Sequence, residues 1–155
     1  MDTEMLTLLG NWIAVKDGDS RARTIMKRHY SHRSYTDGRK PKLFVGPGEK
    51  MVLLTSHCDA VFVWRKFIDD AEPKQTGVNC AAFRNEGTML SSDLIREADE
   101  IAWRRWPGER LYTYVNTKKI RSTNPGYCFL MAGWQREPYL TKTGKVVLSI
   151  ESMKY

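Results

Sequence analysis

One stretch in the middle of the chain, residues 77–106, most constrains the fold. Residues 78–83 form a short apolar run with several small side chains, which is typical of a strand covered on both faces. After a polar break at 84–87, Ser91 or Ser92 is placed to cap a helix, because a seryl oxygen accepts first-turn amides. Apolar residues then recur at helical spacing over 93–106, with Asp99 among the charged residues of the opposite, wet face. The stretch predicts a strand, a bent connection and a long amphipathic helix.

A strand that leads directly into a helix also predicts an anion site. The first amides of such a helix point into the space beyond the end of the strand and together carry about half a positive charge. We therefore expect a phosphate or another anion to fit there. The alternative is a strand and helix with a structural role alone.

Chain length and cysteine content favour one cytoplasmic domain over residues 1–155. A chain of this length buries about 70% of the surface that it exposes when unfolded. Cys58, Cys80 and Cys128 are odd in number and lack paired spacing, which favours ordinary buried thiols in a reducing compartment. A metal site at Cys58 and the preceding His57 is the alternative. The first residues do not have the basic start of a signal peptide, and no segment approaches the ~20 apolar residues of a membrane span.

The net charge of +7 favours an anionic partner, and nucleic acid is the commonest large one. Residues 34–50 form a polar, glycine- and proline-rich segment that we interpret as a basic loop or lid, with a short strand at 43–45. Its cations Arg39, Lys40 and Lys42 would attract a phosphate backbone. A solvated surface loop has the same composition.

The remaining elements predict an α/β (α+β) fold. Asp19 or Ser20 is placed to cap an early helix, and residues 51–55 and 60–67 have the composition of a hairpin. The further predicted elements are a strand at Trp12–Val15, a strand at Leu111–Val115, a short helix at 127–132, and closing strands that include Trp134 and Val146–Ile150.

Two of the three histidines lie in one segment, which begins on the early helix and continues beyond it. His29 continues the apolar stripe of that helix and Tyr30 follows it, so this pair is a candidate for a reactive centre. Imidazole is the side chain best matched to proton transfer near pH 7. Arg28 and Arg33 add fixed cations. The alternatives are a hydrogen-bonded core histidine for His29 and a solvated neighbour for His32.

In this order, the elements resemble the GNAT (Gcn5-related N-acetyltransferase) fold over most of the chain. In that family the fourth strand enters a helix through a loop whose amides hold the pyrophosphate of acyl-coenzyme A. A fifth strand splays away to admit the pantetheine arm. The resemblance implies a single domain with a mixed, mostly antiparallel central sheet, splayed strands and flanking helices. The corresponding segments here are 78–83, 84–92, 93–106 and Leu111–Val115, and Gly133-Trp134 resembles the close of the family's last helix.

The chain also departs from the family pattern. Arg84 and Gly87 match the loop motif Q/R-x-x-G-x-G/A, but Met89 occupies its last small position. Asp93 places a carboxylate near the helix start, and Phe129 stands where many relatives have a tyrosine that acts as general acid. The departures imply a differently seated cofactor, a different acid, or a fold diverted from ordinary acetyl transfer.

Three short motifs resemble the divergent phage branch of this superfamily that is typified by Mom. They are the HYS segment, the SS-D/N-x-I helix start and the NPG-x-x-F ending. This resemblance implies an acyltransferase-like, anti-restriction enzyme that alters the exocyclic amine of adenine in double-stranded phage DNA. His29 and Tyr30 match the functional pair of the branch, for which bound iron has been proposed.

Under that hypothesis the candidate residues take distinct roles. His29 is a base or metal ligand, Tyr30 an acid or orienting donor, Ser91 a donor to the acyl oxygen or to phosphate, and Glu86 a base from the loop. The candidate residues for binding acetyl-coenzyme A or another acyl-coenzyme A are Ala82, Phe83, Arg84, Asn85, Gly87, Ser92 and Asn124. The candidate residues for binding DNA are Arg28, His32, Arg33, Arg39, Lys40 and Lys42. An extruded adenine would stack on an aromatic side chain, for which Tyr30, Tyr35 and Trp64 are candidates. The alternative, which aromatic residues take more often, is that each is a core or surface residue.

Two other functions remain open. One is a GNAT-like transferase that acts on a small-molecule or protein amine, with an incidental basic surface. The other is a non-catalytic DNA-binding, anti-restriction module that keeps the fold without the cofactor. The sequence is compatible with a monomer or a dimer. All transferase hypotheses require backbone donors past Phe83 to open onto a wedge between diverging strands, with the first helix, which bears His29, at its border.

Overall fold

The computed structural model describes residues 10–28, 43–118 and 126–152. Over these residues seven strands form one sheet in the order β1-β2-β3-β4-β5-β7-β6. The strands are β1 (Trp12–Val15), β2 (Glu49–Thr55), β3 (Ala60–Lys66), β4 (Val78–Asn85), β5 (Leu111–Val115), β6 (Gln135–Leu140) and β7 (Val146–Ile150). All neighbouring pairs are antiparallel except β4 and β5, which are parallel. The predicted α+β class, with a mixed and mostly antiparallel sheet, is confirmed.

Helices cover both faces of this sheet. The helices of the described part are α1 (Ser20–Met26), α2 (Ser91–Arg105) and α3 (Tyr127–Met131). On one face, α1 packs on side chains such as Val52 and Val63. On the other face, α2 and α3 pack on strand residues adjacent in sequence to Val52 and Val63, such as Leu53 and Phe62. Because successive strand residues point to opposite faces, the central strands read as nearly continuous apolar runs.

Two predicted features of α2 are wrong. Leu90 occupies the N-cap position without a side-chain cap, and the helix begins at Ser91, two residues earlier than expected. The hydroxyl of Ser91 instead accepts a hydrogen bond from Asn85 Nδ2 at 3.0 Å, and Ser92 is buried. Asp99 is not on the wet face: it is 3% exposed and accepts a hydrogen bond from Trp134 Nε1. The apolar stripe of α2 is buried as predicted.

Three further predictions are corrected. Residues 43–45 are not a strand, because the Asp17 carboxylate accepts hydrogen bonds from the amides of Phe44 and Val45. Trp64 is fully buried and donates from Nε1 to Ala98 O, so it is a core residue and not a base platform. Cys58 is exposed in the turn between β2 and β3, where it has φ of 58°. In the described residues, no helix is long and apolar enough to cross a membrane.

Asp99 is expected to make the stability of the fold depend on pH. One carboxylate oxygen accepts the Trp134 bond, and the other has no hydrogen-bond partner among the described residues. Burial raises the pKa of Asp99 well above its ordinary value. Between the ordinary carboxyl pKa of about 3.9 and the folded one, the folded state holds a proton that the unfolded state has lost. The free energy of unfolding should therefore fall by up to about 1.4 kcal/mol per pH unit as pH rises.

We predict that Asp99→Asn removes this dependence and stabilises the protein at pH 7. An amide oxygen still accepts the Trp134 bond but carries no charge. Urea denaturation at several values between pH 5 and 8 measures the effect. Asp93→Asn, which alters an exposed carboxylate on the same helix, is the control. Equal pH slopes for Asp99→Asn and the wild type would contradict the prediction.

Candidate active site at the fork of the sheet

The sheet opens between its two parallel strands. The registered pairs of β4 and β5 are Val78 with Leu111, Asn79 with Tyr112 and Cys80 with Thr113. Beyond the last pair, β4 stays paired with β3 as far as Asn85, and β5 stays paired with β7 as far as Val115. Residues 81–85 and 114–115 therefore lack a strand partner on their facing sides. We call this opening the fork.

A β-bulge lies where the fork begins. Val63 pairs with Ala82 and Trp64 pairs with Cys80, so Ala81 is the extra residue of β4. A bulge bends its strand and increases the local twist, and this one coincides with the end of the pairing between β4 and β5. Ala81 is exposed. The Thr113 hydroxyl donates to Cys80 O at 2.9 Å. This bond joins the last registered pair of β4 and β5 before the fork.

Asn85 organises the loop that joins β4 to α2. Its Nδ2 donates to Met89 O at 2.7 Å and to the Ser91 hydroxyl, and its Oδ1 accepts from Gly87 N at 2.9 Å. The helix that follows has no side-chain cap at Leu90. The amides of Ser91 and Ser92 have no acceptor within the helix, so the helix start is electropositive. This end of α2 is suited to an anion.

Two backbone amides earlier in the loop already donate hydrogen bonds to acceptors within the protein. Glu86 N donates to Asp59 O at 2.7 Å, and Gly87 N donates to Asn85. A Cβ on Gly87 would come within 2.2 Å of Asp59 Oδ2, so the glycine allows the loop to pack on the β2–β3 turn. The backbone donors suited to a ligand therefore lie in the first turn of α2 and not directly after Phe83.

Arg28, Arg84 and Glu86 form an ionic cluster beside this loop, the arginine–glutamate cluster. Arg28 donates from Nε and Nη2 to the Glu86 carboxylate at 2.6 and 2.5 Å, and Arg84 Nε donates at 2.7 Å. These bonds, from Arg28 first and Arg84 second, lower the pKa of Glu86 to about 2. A carboxylate held in this way is a weak base. The cluster also ties Arg28, the residue before His29 in the sequence, to the loop after β4.

The structure separates the predicted site residues into three groups. Arg28, Arg84, Asn85, Glu86, Gly87 and Ser91 lie in or contact the loop and helix start beyond β4. The side chains of Ala82 and Phe83 pack into the two cores, and Ser92 is 6% exposed, so these three could offer a ligand only their backbone groups. Outside the described residues lie His29, Tyr30, His32, Arg33, Tyr35, Arg39, Lys40, Lys42 and Asn124.

A second polar cluster next to the fork was not predicted from the sequence. The hydroxyls of Tyr112 and Tyr114 both donate to Asp69 Oδ2 at 2.7 Å, and Asp69 is 6% exposed. Burial, and then the Asp69 bond, raises the pKa of each tyrosine. Their alternation along β5 indicates a shared face, but Asp69 lies more than forty residues away in the sequence. The cluster fixes segment 69–75 against β5.

The described residues offer no site that fits iron, because no three His, Cys, Asp or Glu side chains among them are gathered where they would hold a metal ion. The unpaired strand edges of the fork and the uncapped start of α2 offer backbone groups of the kind with which an amide-bearing chain and an anion pair. Searches of protein-family models, curated proteins and solved structures found nothing that matches this chain.

We predict that Gly87→Ala destabilises the protein by about 1–3 kcal/mol, because the new methyl group overlaps the Asp59 carboxylate. Urea denaturation measures the change. The control repeats the substitution in an Asp59→Ala background, where the overlapping oxygens are absent. The cost of Gly87→Ala should then fall, and an equal cost in both backgrounds would contradict the packing argument.

Proposed function

We propose that this protein is an acyl-coenzyme A-dependent transferase of the GNAT type that modifies the exocyclic amine of adenine in double-stranded DNA. Its role would be that of the phage Mom branch, in which modified DNA is shielded from host nucleases. The observation that carries the proposal is the fork between parallel strands beside the uncapped start of α2. The supporting argument concerns first how the acyl donor would bind and then how the acceptor amine would be recognised. We call these two parts the donor side and the acceptor side.

The donor side rests on backbone groups. Strand edges that face an opening present N–H and C=O groups, and an extended chain that carries amides can pair with them as an added strand does. Ala81, the bulge residue at the start of the fork, is exposed and has a small side chain. The free amides of Ser91 and Ser92 would hold the pyrophosphate, as helix starts commonly do.

The acceptor side rests on charge and on the chemistry of the amine. The net charge of +7 favours a polyanion such as duplex DNA. The adenine amine is a poor nucleophile because its lone pair is delocalised into the ring, so an enzyme must position it and stabilise the developing oxyanion. The base must also leave the stack, at a cost of a few kcal/mol. His29 would accept the proton that the amine loses, and Tyr30 would orient the acceptor or protonate the leaving thiolate.

Nucleoside mass spectrometry tests the reaction directly. We expect DNA from cells that express the protein to contain a mass-shifted deoxyadenosine. The shifted nucleoside should disappear with His29→Ala and with Tyr30→Phe. His57→Ala is the matched control, because His57 is an exposed histidine in the turn between β2 and β3. Unmodified DNA from folded protein would refute the proposed reaction.

A substitution at Leu90 tests the donor site separately. Leu90 is 63% exposed at the uncapped N-cap position of α2. We predict that Leu90→Asp stabilises the protein by about 0.5–2 kcal/mol, because its carboxylate caps the free amides. The same carboxylate should weaken acetyl-coenzyme A binding about tenfold or more, since it competes with the phosphates, and a tenfold loss corresponds to about 1.4 kcal/mol.

Calorimetry with acetyl-coenzyme A and urea denaturation measure the two effects of Leu90→Asp. Leu140→Asp, at an exposed leucine of β6, is the control for the added charge. The donor site would be misplaced if Leu90→Asp stabilised the protein while acetyl-coenzyme A affinity matched that of the control.

A specific observation favours a second candidate, a non-catalytic DNA-binding module. The amides of Glu86 and Gly87 are already bonded within the protein, and the Asp59 carboxylate lies against Gly87. Such a module would bind duplex DNA with a steep salt dependence and give no calorimetric signal with acetyl-coenzyme A. A transferase acting on a small-molecule or protein amine would show the reverse pattern.

A further inference from the structure

We propose that Arg28 and Arg84 are a phosphate-binding pair and that Glu86 is an internal occupant which a phosphate displaces. The site is the arginine–glutamate cluster at the end of β4. This inference rests on the proposed function for its choice of DNA as the first ligand to test. It adds to that function a means by which phosphate binding releases the Glu86 carboxylate from the two arginines.

The hydrogen bonds of the cluster match those of an arginine–phosphate site. Arg28 holds both oxygens of Glu86 through Nε and Nη2, which is the bidentate geometry of a guanidinium on a carboxylate or a phosphate. Arg84 Nε approaches one of the same oxygens at 2.7 Å. Phosphate oxygens can accept the same N–H groups. Glu86 therefore occupies the position that a phosphate would take.

The occupant lies where a competing anion can reach it from solvent. The side chains of Arg28 and Arg84 remain 48% and 38% exposed, and that of Glu86 remains 24% exposed. Water therefore screens the charges of the internal ion pairs, and an incoming phosphate can approach both guanidinium groups. Two guanidinium groups and one carboxylate also leave a net positive charge that attracts a further anion.

The cluster faces the side of the sheet that carries α1. Arg84 pairs across the ladder with Val61, and directly opposed residues of antiparallel strands point to the same face. Val61 packs in the core under α1, and Arg28 follows that helix. The free amides of α2 begin an element on the opposite face of the sheet. The cluster is thus separate from the helix start and lies on the face of the sheet that carries α1.

Displacement would change two properties of the protein. The pKa of Glu86 would rise from about 2 toward the ordinary value for glutamate, because its cationic partners would be neutralised by the phosphate. The carboxylate would then be a better proton acceptor. The tie between the end of α1 and the loop after β4 would also break, since Arg28 would pair with the ligand.

Binding measurements on Glu86→Gln test this site. Glutamine keeps the size of the side chain but loses the charge, so the arginines compete less with their internal partner. We expect affinity for a mixed-sequence duplex oligonucleotide to rise about tenfold at fixed salt, equivalent to about 1.4 kcal/mol. Glu109→Gln is the matched control, because Glu109 is also a partly exposed carboxylate in an ion pair, with Lys66 at 2.7 Å.

A second set of variants assigns any gain to the arginines. Arg28→Gln or Arg84→Gln, each in the Glu86→Gln background, should abolish the gain, and Arg28→Lys should retain part of it because lysine keeps the charge without the bidentate geometry. Thermal unfolding confirms that each variant is folded. Parallel titrations with coenzyme A separate the two sources of phosphate: a gain with duplex assigns the site to the DNA backbone, and a gain with coenzyme A assigns it to the coenzyme.

An affinity for both ligands no higher than that of Glu109→Gln would overturn the proposal, as would a gain that survives the loss of either arginine. These titrations measure binding and not modification. Unmodified DNA together with a tenfold gain would therefore refute the transferase and leave the site standing. Modified DNA without a gain would do the opposite.

Discussion

The loss of backbone pairing between β4 and β5 is the constraint on which the rest of this structure depends. β4 pairs with β3 along an antiparallel ladder that contains the bulge at Ala81, and its pairing with β5 ends at that bulge. β5 continues to pair with β7. Backbone groups in the middle of a sheet are normally paired, because an unpaired buried N–H or C=O costs free energy comparable to a lost hydrogen bond. A sheet that opens at its centre therefore leaves those groups to partners other than a neighbouring strand.

Each arm of the fork is held by its own interactions, so the opening does not depend on a ligand to keep it apart. On the β4 side, Phe83 contacts the rings of Phe62 on β3 and Phe129 on α3. On the β5 side, Tyr112 and Tyr114 share the Asp69 carboxylate. The contacts that hold the two arms are therefore made within the protein and on different elements.

Local sequence patterns predicted the helices and strands well, but they predicted the long-range side-chain contacts poorly. Trp12–Val15 and Leu111–Val115 were predicted to the residue, because branched and aromatic side chains mark strands directly. The predicted serine cap of α2 was wrong because Asn85, six residues before Ser91, donates a hydrogen bond to the Ser91 hydroxyl. The burial of Asp99 depends on Trp134, on a different element. The candidate loop could be read from the sequence, whereas the ion pair that crosses it joins residues 58 positions apart.

That ion pair bears on how a transferase could restrain a reactive thioester. A carboxylate free beside an acyl donor would activate water as readily as an amine, and the acyl group would be lost to hydrolysis. In the resting structure the two arginines hold the pKa of Glu86 at about 2, which suppresses its basicity. If a backbone phosphate takes Arg28 and Arg84, basicity appears only when the acceptor is bound. The electrostatics that position the nucleic acid would then also control when the carboxylate can accept a proton.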